Sequence, residues 1–334
     1  MKKLLLVTDA WYPQVNGVVR ALEKMRELLE KRGFTVIVVH PGMFRTVPLP
    51  LYPEIHLALF PRRGVKNILE QERPDFIHVA TEGPLGWAAR AACKKLRLRF
   101  TTSYHTHFHL HVNARIRGFL SITRSLQRRF HNAGSGVMVV NESLRADLLE
   151  AGFKNLRLWP LGVDTNVFVR NPNSTAHTFP PPVFAFFSRV VAEKSPEEFM
   201  RLNLPGTKIV IGDGPDRPGL EKKYTDVCFV GYKWGQELVD WLSRTDVMVF
   251  PSRTETFGLV VLEALACGVP VAAHNVMGPR DIITNGVGGY LSDDLADAAK
   301  KCLTLDRTKC REKALKYSWN ASVDAFIRNL VPAI

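Results

Sequence analysis

No apolar stretch in these 334 residues reaches the roughly 18 that a membrane-spanning helix needs. Leu4-Leu5-Leu6-Val7, behind Lys2-Lys3, stops at Thr8-Asp9 with no small-residue cleavage site after it. It therefore reads as a buried strand rather than a leader. Cysteine is sparse. Cys93, Cys228, Cys267, Cys302 and Cys310 are scattered, odd in number and without paired metal-type spacing, which fits reduced thiols in a cytoplasmic protein. Acidic residues are in short supply: 32 Asp and Glu against 45 Lys and Arg leave a net charge of +13, which favours anionic partners. RNA-recognition, zinc-finger and helix-turn-helix patterns are missing, so phosphorylated ligands and anionic lipid are expected ahead of nucleic acid. Ile211-Gly212-Asp213-Gly214-Pro215 begins like a dinucleotide fingerprint, but Arg217 stands where the third glycine belongs, which argues against an NAD enzyme.

What is present is an alternation of short apolar runs with helical periodicity. In the first half, strands are expected at Leu4 to Thr8, Val36 to His40, Phe76 to Ala80, Phe100 to Tyr104 and Gly136 to Val140. Helices are expected at Val18 to Lys31, Pro84 to Leu96 and Glu142 to Glu150. A turn-rich, proline-rich segment, 171–182, is the expected linker. The pattern then restarts with strands at Val183 to Phe187, Lys208 to Ile211, Val227 to Val230, Val247 to Phe250 and Val269 to Ala272. Two doubly wound α/β halves are the consequence.

The most informative segment runs from Pro251 to Val271. A buried strand ends at Phe250, a polar turn holds Glu255, a short helix holds Glu263 and closes at Gly268, and another strand follows. Such a βαβ unit implies a parallel sheet, with the turn at the carboxyl edge where these sheets bind ligands. A carboxylate inside an otherwise apolar helix either faces outward or is buried with partners, because burying one alone is costly. Ser188-Arg189-Val190-Val191-Ala192-Glu193-Lys194 leaves another strand and offers two cations, a suitable pair for an anionic ligand. The amides of Phe257, Gly258 and Leu259 open the downstream helix as a second anion site.

With seven residues between Glu255 and Glu263 and Phe-Gly-Leu at the helix start, the segment resembles the E-x₇-E signature of retaining glycosyltransferases of family 4. Arg189 and Lys194 match that family's Gly-Arg-x₄-Lys element, with Ser188 in place of the glycine, and Gly212-Asp213-Gly214-Pro215 matches its Gly-Asp-Gly-Pro. Leu161-Gly162-Val163-Asp164 departs from the common Asn-Gly-Val-Asp. The resemblance implies a GT-B fold, two Rossmann-like doubly wound domains facing a cleft. It divides the chain into an acceptor domain over 1–170, the linker, a nucleotide-sugar donor domain over 183–317, and a helix over 318–334 crossing back to the first domain. Arg189 and Lys194 would meet the diphosphate, Glu263 the ribose hydroxyls and Glu255 the transferred sugar. Gly212 would lie near the base or phosphates, and Gly17 near the donor phosphate and acceptor.

Tyr104-His105-Thr106-His107 and Thr81-Glu82-Gly83-Pro84-Leu85-Gly86 resemble the branch holding sulfoquinovosyl-diacylglycerol synthases and bacterial α-mannosyltransferases of lipid glycans. That resemblance places His105 beside the sugar, with His107 the next candidate on the acceptor side. Four histidines at alternate positions from 105 to 111 would also suit a metal, but the run lacks an acidic ligand and the family is generally metal-independent, so no metal or other cofactor is expected. Arg115, Arg117, Arg124, Arg128 and Arg129 interleave with Ile116, Phe119, Leu120, Ile122, Leu126 and Phe130. That mixture fits either a membrane-surface helix or an ordinary half-buried one. The expectation is a transferase moving a hexose or hexuronic acid from a UDP- or GDP-linked donor to a lipid hydroxyl such as diacylglycerol's, peripheral on the inner face of the cell membrane. Its alternatives are a transferase for polysaccharide or small-metabolite acceptors and a nucleotide-sugar-binding module without turnover.

Overall fold

A computed structural model of the chain describes residues 2–14, 17–49, 52–105, 120–175 and 178–334. Residues 1–160 with 320–334 form one compact unit and 161–319 the other.

Unit 1 is built on β1 (Lys2–Val7), α1 (Gly17–Lys31), β2 (Phe34–Val39), β3 (Thr46–Leu49), β4 (Tyr52–Ala58), α2 (Arg62–Glu72), β5 (Phe76–Val79), α3 (Pro84–Leu96), β6 (Thr101–Tyr104), α4 (Leu120–His131), β7 (Gly136–Val139), α5 (Glu142–Glu150) and β8 (Leu156–Leu158). Six strands form a parallel sheet in the order β2-β1-β5-β6-β7-β8, and β3 and β4 pair separately as an antiparallel hairpin. Strands such as Leu4-Leu5-Leu6-Val7 carry apolar residues on both faces because helices cover both faces of a parallel sheet. The core joins Leu5, Val7, Ile77 and Val79 of the sheet to Leu85, Ala88 and Ala92 of α3 and Phe130 of α4.

Unit 2 contains β9 (Val183–Phe187), α6 (Pro196–Met200), β10 (Thr207–Ile211), α7 (Arg217–Lys223), β11 (Val227–Gly231), α8 (Gly235–Ser243), β12 (Val247–Phe250), α9 (Leu259–Ala266), β13 (Val271–Ala273), α10 (Pro279–Ile282), β14 (Thr284–Asn285), β15 (Gly288–Leu291), α11 (Leu295–Cys302) and α12 (Arg307–Leu315). Its sheet runs β11-β10-β9-β12-β13-β15-β14, parallel throughout. Both halves are therefore doubly wound.

The last helix, α13 (Trp319–Asn329), lies with unit 1 from Asn320 onward. Trp159 donates its indole N–H to Ser322 Oγ at 3.1 Å, Asn329 reaches the Leu158 carbonyl at 2.7 Å, and Arg32 pairs with Asp324. The chain enters unit 2 at Leu161 and leaves it at Trp319, and these two segments lie side by side: Val163 donates to the Tyr317 carbonyl at 2.9 Å. This division differs from the expected boundary at 170. Segment 171–182 falls inside unit 2, where Asn171 bonds to Ser243 and Asp240 and Ser174 to the Asp240 carbonyl. Its turn formers are used to dock it on α8.

Candidate active site

In unit 2 the chain builds β10 and β11 on one side of β9, then returns to build β12 and β13 on the other. The loops leaving β9 and β12 diverge at that reversal, which is where a doubly wound sheet opens its ligand crevice. The two loops are stitched together: the Glu193 carbonyl accepts from Ser252 Oγ at 3.3 Å and from Thr254 Oγ1 at 3.5 Å. A one-turn helix, Ala192–Lys194, lifts Lys194 over the Phe250 ring and against Glu255, with Nζ 2.6 Å from Oε2. Their side chains are 19% and 15% exposed, so the pair is shielded from water.

Glu255 Oε1 accepts the amides of Thr256 at 3.0 Å and Phe257 at 3.3 Å. Burial pushes this carboxyl up, but the Lys194 charge and hydrogen bond and the two amides outweigh it. The carboxyl ends below its usual range and stays ionised. The Phe257 amide is therefore occupied by the chain's own carboxylate, which corrects the expected three-amide anion site. Among the described residues no acceptor is found for the amides of Gly258 and Leu259, which begin α9. Gly258 has φ +91°, a left-handed turn that favours glycine.

Glu263 lies one turn into α9 and is 5% exposed among Val261, Leu262 and Ala264, so the outward-facing alternative is excluded. Arg189 is half-buried and has no carboxylate partner among the described residues. Gly212 sits behind the β9 loop. A side chain there would meet the Ser188 carbonyl at 1.9 Å, and one at Gly214 would meet the Val190 carbonyl at 2.2 Å. The turn they form presses on the loop and bonds to it, Val190 N–H donating to the Asp213 carbonyl at 2.8 Å. Arg217 pairs with Asp213 at 3.0 Å and Glu221 at 3.1 Å and so braces the same turn.

Two neighbours of this site escaped the sequence reading. Gly278, with φ +87°, packs so closely that a Cβ would lie 2.9 Å from Glu255 Cγ; its signal was the Gly-Pro pair before α10. His274, 1% exposed just after β13, approaches Glu198 at 2.8 Å, and Arg253 reaches the same oxygen at 3.0 Å. A histidine directly after a strand was the only hint.

The reversal in unit 1 lies between β1 and β5. Asp9, 7% exposed, accepts the Thr81 hydroxyl at 2.8 Å and the amides of Leu85 at 2.9 Å and Gly86 at 3.3 Å, thereby capping α3 from a distance. Burial outweighs these bonds and lifts its carboxyl above the usual range. Gly17 is the exposed first residue of α1 at the same sheet edge. His105 follows β6 and binds Ser103 Oγ through Nε2 at 2.7 Å. Beside it His131 Nε2 meets Glu82 Oε1 at 3.0 Å and Gln127 donates to the same oxygen at 3.2 Å. His107, and the rest of 106–119, lie outside the described residues.

On α4, Phe130 is buried whereas Ile122 is 53% and Leu126 48% exposed. Arg124 pairs with Asp147 at 3.2 Å, Arg128 donates to the Ala151 carbonyl at 3.2 Å, and Arg129 is exposed beside Leu126. No helix among the described residues is long and apolar enough to cross a membrane. All five cysteines are free thiols, and burial pushes Cys93, Cys267 and Cys302 up to about 12.

Residues 15–167 match the family described as Glycosyltransferase Family 4, and residues 186–307 match Glycosyl transferases group 1. A sulfoquinovosyl transferase of Arabidopsis thaliana is 31% identical over 370 residues, covering 97% of this chain and 72% of that protein. The chain belongs to glycosyltransferase family 4.

Other relatives of this glycosyltransferase include a GDP-mannose-dependent alpha-mannosyltransferase of Corynebacterium glutamicum, 27% identical over 87% of this chain and 76% of that protein. An alpha-monoglucosyldiacylglycerol synthase of Streptococcus pneumoniae is 26% identical over 89% of this chain and 77% of its own length. Among solved structures, sucrose-phosphate synthase from Thermosynechococcus elongatus superposes with a TM-score of 0.75 at 20% identity, covering 98% of each chain. HepE of Anabaena in complex with UDP superposes with a TM-score of 0.73 at 16% identity, covering 98% of this chain and 99% of that one. The fold is GT-B, with two Rossmann-like domains. For this glycosyltransferase, the unit 2 site assembles a guanidinium with no carboxylate partner among the described residues, a shielded Lys-Glu pair whose ammonium has donors to spare, two helix-start amides and a buried carboxylate. That set can hold a polyanion at one end and hydroxyls at the other.

Proposed function

We propose that this glycosyltransferase moves a hexose or hexuronic acid from a UDP- or GDP-linked donor to a hydroxyl of a membrane lipid such as diacylglycerol, with retention of anomeric configuration. The observation that carries the reading is the Lys194–Glu255 pair at the topological reversal of unit 2, with Arg189 and Glu263 on the flanking elements. Arg189, Lys194 and the amides of Gly258 and Leu259 meet the diphosphate, where negative charge grows as the glycosidic bond breaks. Two fixed cations and a helix start supply that stabilisation without a metal ion, and a chelator is expected to leave activity unchanged. Glu263 accepts the ribose hydroxyls; Glu255 and His105 contact the transferred sugar, and Gly212 holds the phosphate-binding loop from behind.

In the step, the bond from the anomeric carbon to the diphosphate oxygen breaks while the acceptor oxygen attacks from the same face. The departing phosphate oxygen takes the acceptor proton, so no side chain acts as a nucleophile. The lipid acceptor is supported by relatives named for diacylglycerol and sulfoquinovosyl products and by the exposed Ile122, Leu126 and Arg129 on α4, a stripe at helical spacing that suits an anionic membrane surface. On this reading the protein works peripherally at the inner face of the cell membrane. The test is a panel of UDP- and GDP-sugars with anionic liposomes bearing diacylglycerol or ceramide, the product anomer being read by NMR. An α-linked glycolipid from an α-configured donor is expected. Donor hydrolysis with transfer only to water-soluble acceptors would replace the lipid assignment, and nucleotide binding without hydrolysis or transfer would leave a binding module.

A further inference from the structure

Three neighbouring strands of unit 2, β9, β12 and β13, end at one sheet edge, and the loops that leave them carry Lys194, Glu255 and Gly278 in turn. Lys194 and Glu255 therefore come from different loops, and their 2.6 Å contact requires both loops to be held in place. The ties already described between those two loops are long, with Ser252 Oγ and Thr254 Oγ1 reaching the Glu193 carbonyl at 3.3 and 3.5 Å. The third loop backs the pair. A Cβ at Gly278 would lie 2.9 Å from Glu255 Cγ and 3.0 Å from the Phe257 carbonyl oxygen.

Glu198 touches all three loops. It stands on α6, four residues after Lys194, with its amide donating to the Ser195 carbonyl at 3.1 Å. Its Oε1 meets His274 Nε2 at 2.8 Å and accepts Arg253 Nη2 at 3.0 Å. Arg253 lies two residues before Glu255. His274 opens the turn that leads to Gly278, the Val276 amide donating to the His274 carbonyl at 2.8 Å and the Gly278 amide to Asp281 Oδ2 at 3.1 Å. The two links differ in kind. The Arg253 side chain is 57% exposed, so its ion pair is screened by water and holds little alone. His274 is 1% exposed, and its Nδ1, 3.8 Å from Asp293 Oδ1, makes no hydrogen bond among the described residues. Releasing Glu198 would leave that buried ring without one, so the His274 link is the anchor.

We propose that Glu198 is a positioning residue: by holding Arg253 and His274 to α6 it fixes the spacing of the three loops and keeps Glu255 against Lys194. The spacing follows from these contacts; its effect on sugar transfer rests on the functional reading above. The two separate in one set of variants. The full chain, labelled with ¹³Cδ-glutamate, is titrated without donor, and the Glu255 carboxyl signal is identified by its loss in Glu255→Gln. Lys194 holds that carboxyl below its usual range against burial, so a low midpoint is expected in the wild-type protein. In Glu198→Ala the midpoint should rise, because burial persists while the ammonium withdraws. Glu198→Gln, which keeps the length and an acceptor oxygen, should restore much of the low value. Turnover of UDP- or GDP-sugars should fall roughly tenfold in Glu198→Ala, within the range that a misplaced reacting group costs, with the donor Michaelis constant moving less. An unchanged midpoint in Glu198→Ala makes Glu198 a packing residue and overturns the proposal. Should that variant fail to fold, Glu198→Ala combined with His274→Leu leaves no buried ring unpaired, and an unchanged midpoint there overturns it equally. A wild-type midpoint at or above the usual range also overturns it, since there would be no held pair to position. A midpoint that rises as expected in a protein that turns over no sugar donor supports the positioning and strikes the functional reading instead.

Discussion

At the reversal of unit 1, Asp9 takes the first free amides of α3, so that helix start is closed by the chain's own carboxylate. At the matching place in unit 2, Glu255 takes the amides of the turn before α9 and is answered by Lys194, while the Gly258 and Leu259 amides at the start of α9 have no acceptor among the described residues. Both carboxylates are shielded, yet burial wins at Asp9 and pushes its carboxyl up, whereas the lysine beside Glu255 holds that one down. The same topological position thus carries a structural cap in one unit and a charged pair beside two helix-start amides in the other. The difference is one cation: Lys194 lies beside Glu255, whereas no lysine or arginine pairs with Asp9 among the described residues.

The sharpest way to break this comparison is Glu255→Gln. If Glu255 faces charge that develops during transfer, turnover should fall about 10²-fold or more with the fold intact. If Glu263 holds the donor ribose, Glu263→Gln should instead raise the donor Michaelis constant, at a cost of about 1.5–3 kcal/mol, because contacts to the unreacting ribose would be equal in the ground and transition states. Steady-state kinetics separate the two; wild-type rates in both would make the pair structural.

Asp9→Ala tests the other side. Losing the cap should lower unfolding stability by about 2 kcal/mol, read by urea denaturation, while the donor dissociation constant stays unchanged. A variant of normal stability that binds donor poorly would turn Asp9 into a ligand residue and erase the contrast.

The buried histidines sharpen it through pH. His78 falls from an ordinary 6.5 to about 3 on folding, so as pH drops below 6.5 the unfolded chain takes up a proton that the folded one refuses. Stability is therefore lost on acidification, by about 2 kcal/mol from this residue at pH 5. His78→Phe should flatten that part of the stability-versus-pH curve. An unchanged slope would mean that His78 is protonated in the fold.

The smallest effect is expected on α4. Arg129→Glu with Leu126→Ser should weaken binding to anionic vesicles by about 1 kcal/mol for each charge unit, with wild-type binding also weakened by salt. Arg124 is a poorer probe than its sequence position implied, because its guanidinium also holds Asp147. Unchanged co-sedimentation of the double variant removes the membrane from unit 1.

Much of the framework was legible in local patterns. Pro84–Leu96, Glu142–Glu150, Val183–Phe187 and Val247–Phe250 keep their expected limits, because a proline start, an asparagine cap and dense apolar runs are local signals. The β3–β4 hairpin and the three-residue β8 were not anticipated, since their short, partly exposed runs carry little periodicity. The boundary between the units was displaced for a related reason: proline-rich composition marks a turn-forming segment, but only packing shows that 171–182 docks on α8 and that the crossing lies at Pro160 and Trp319.

At the site, sequence alone identified the residue types and the order of loops, because strand–turn–helix patterns and the spacing of Glu255 and Glu263 are written along one stretch of chain. Tertiary structure decided which groups meet. Lys194 and Glu255 are 61 residues apart, His78 and Ser103 are 25 apart, and Asp9 finds its helix 76 residues later. Those meetings depend on strand order and register, which place distant loops at one sheet edge. They also depend on burial, which sets whether a carboxylate there is held charged by a cation or strained by desolvation.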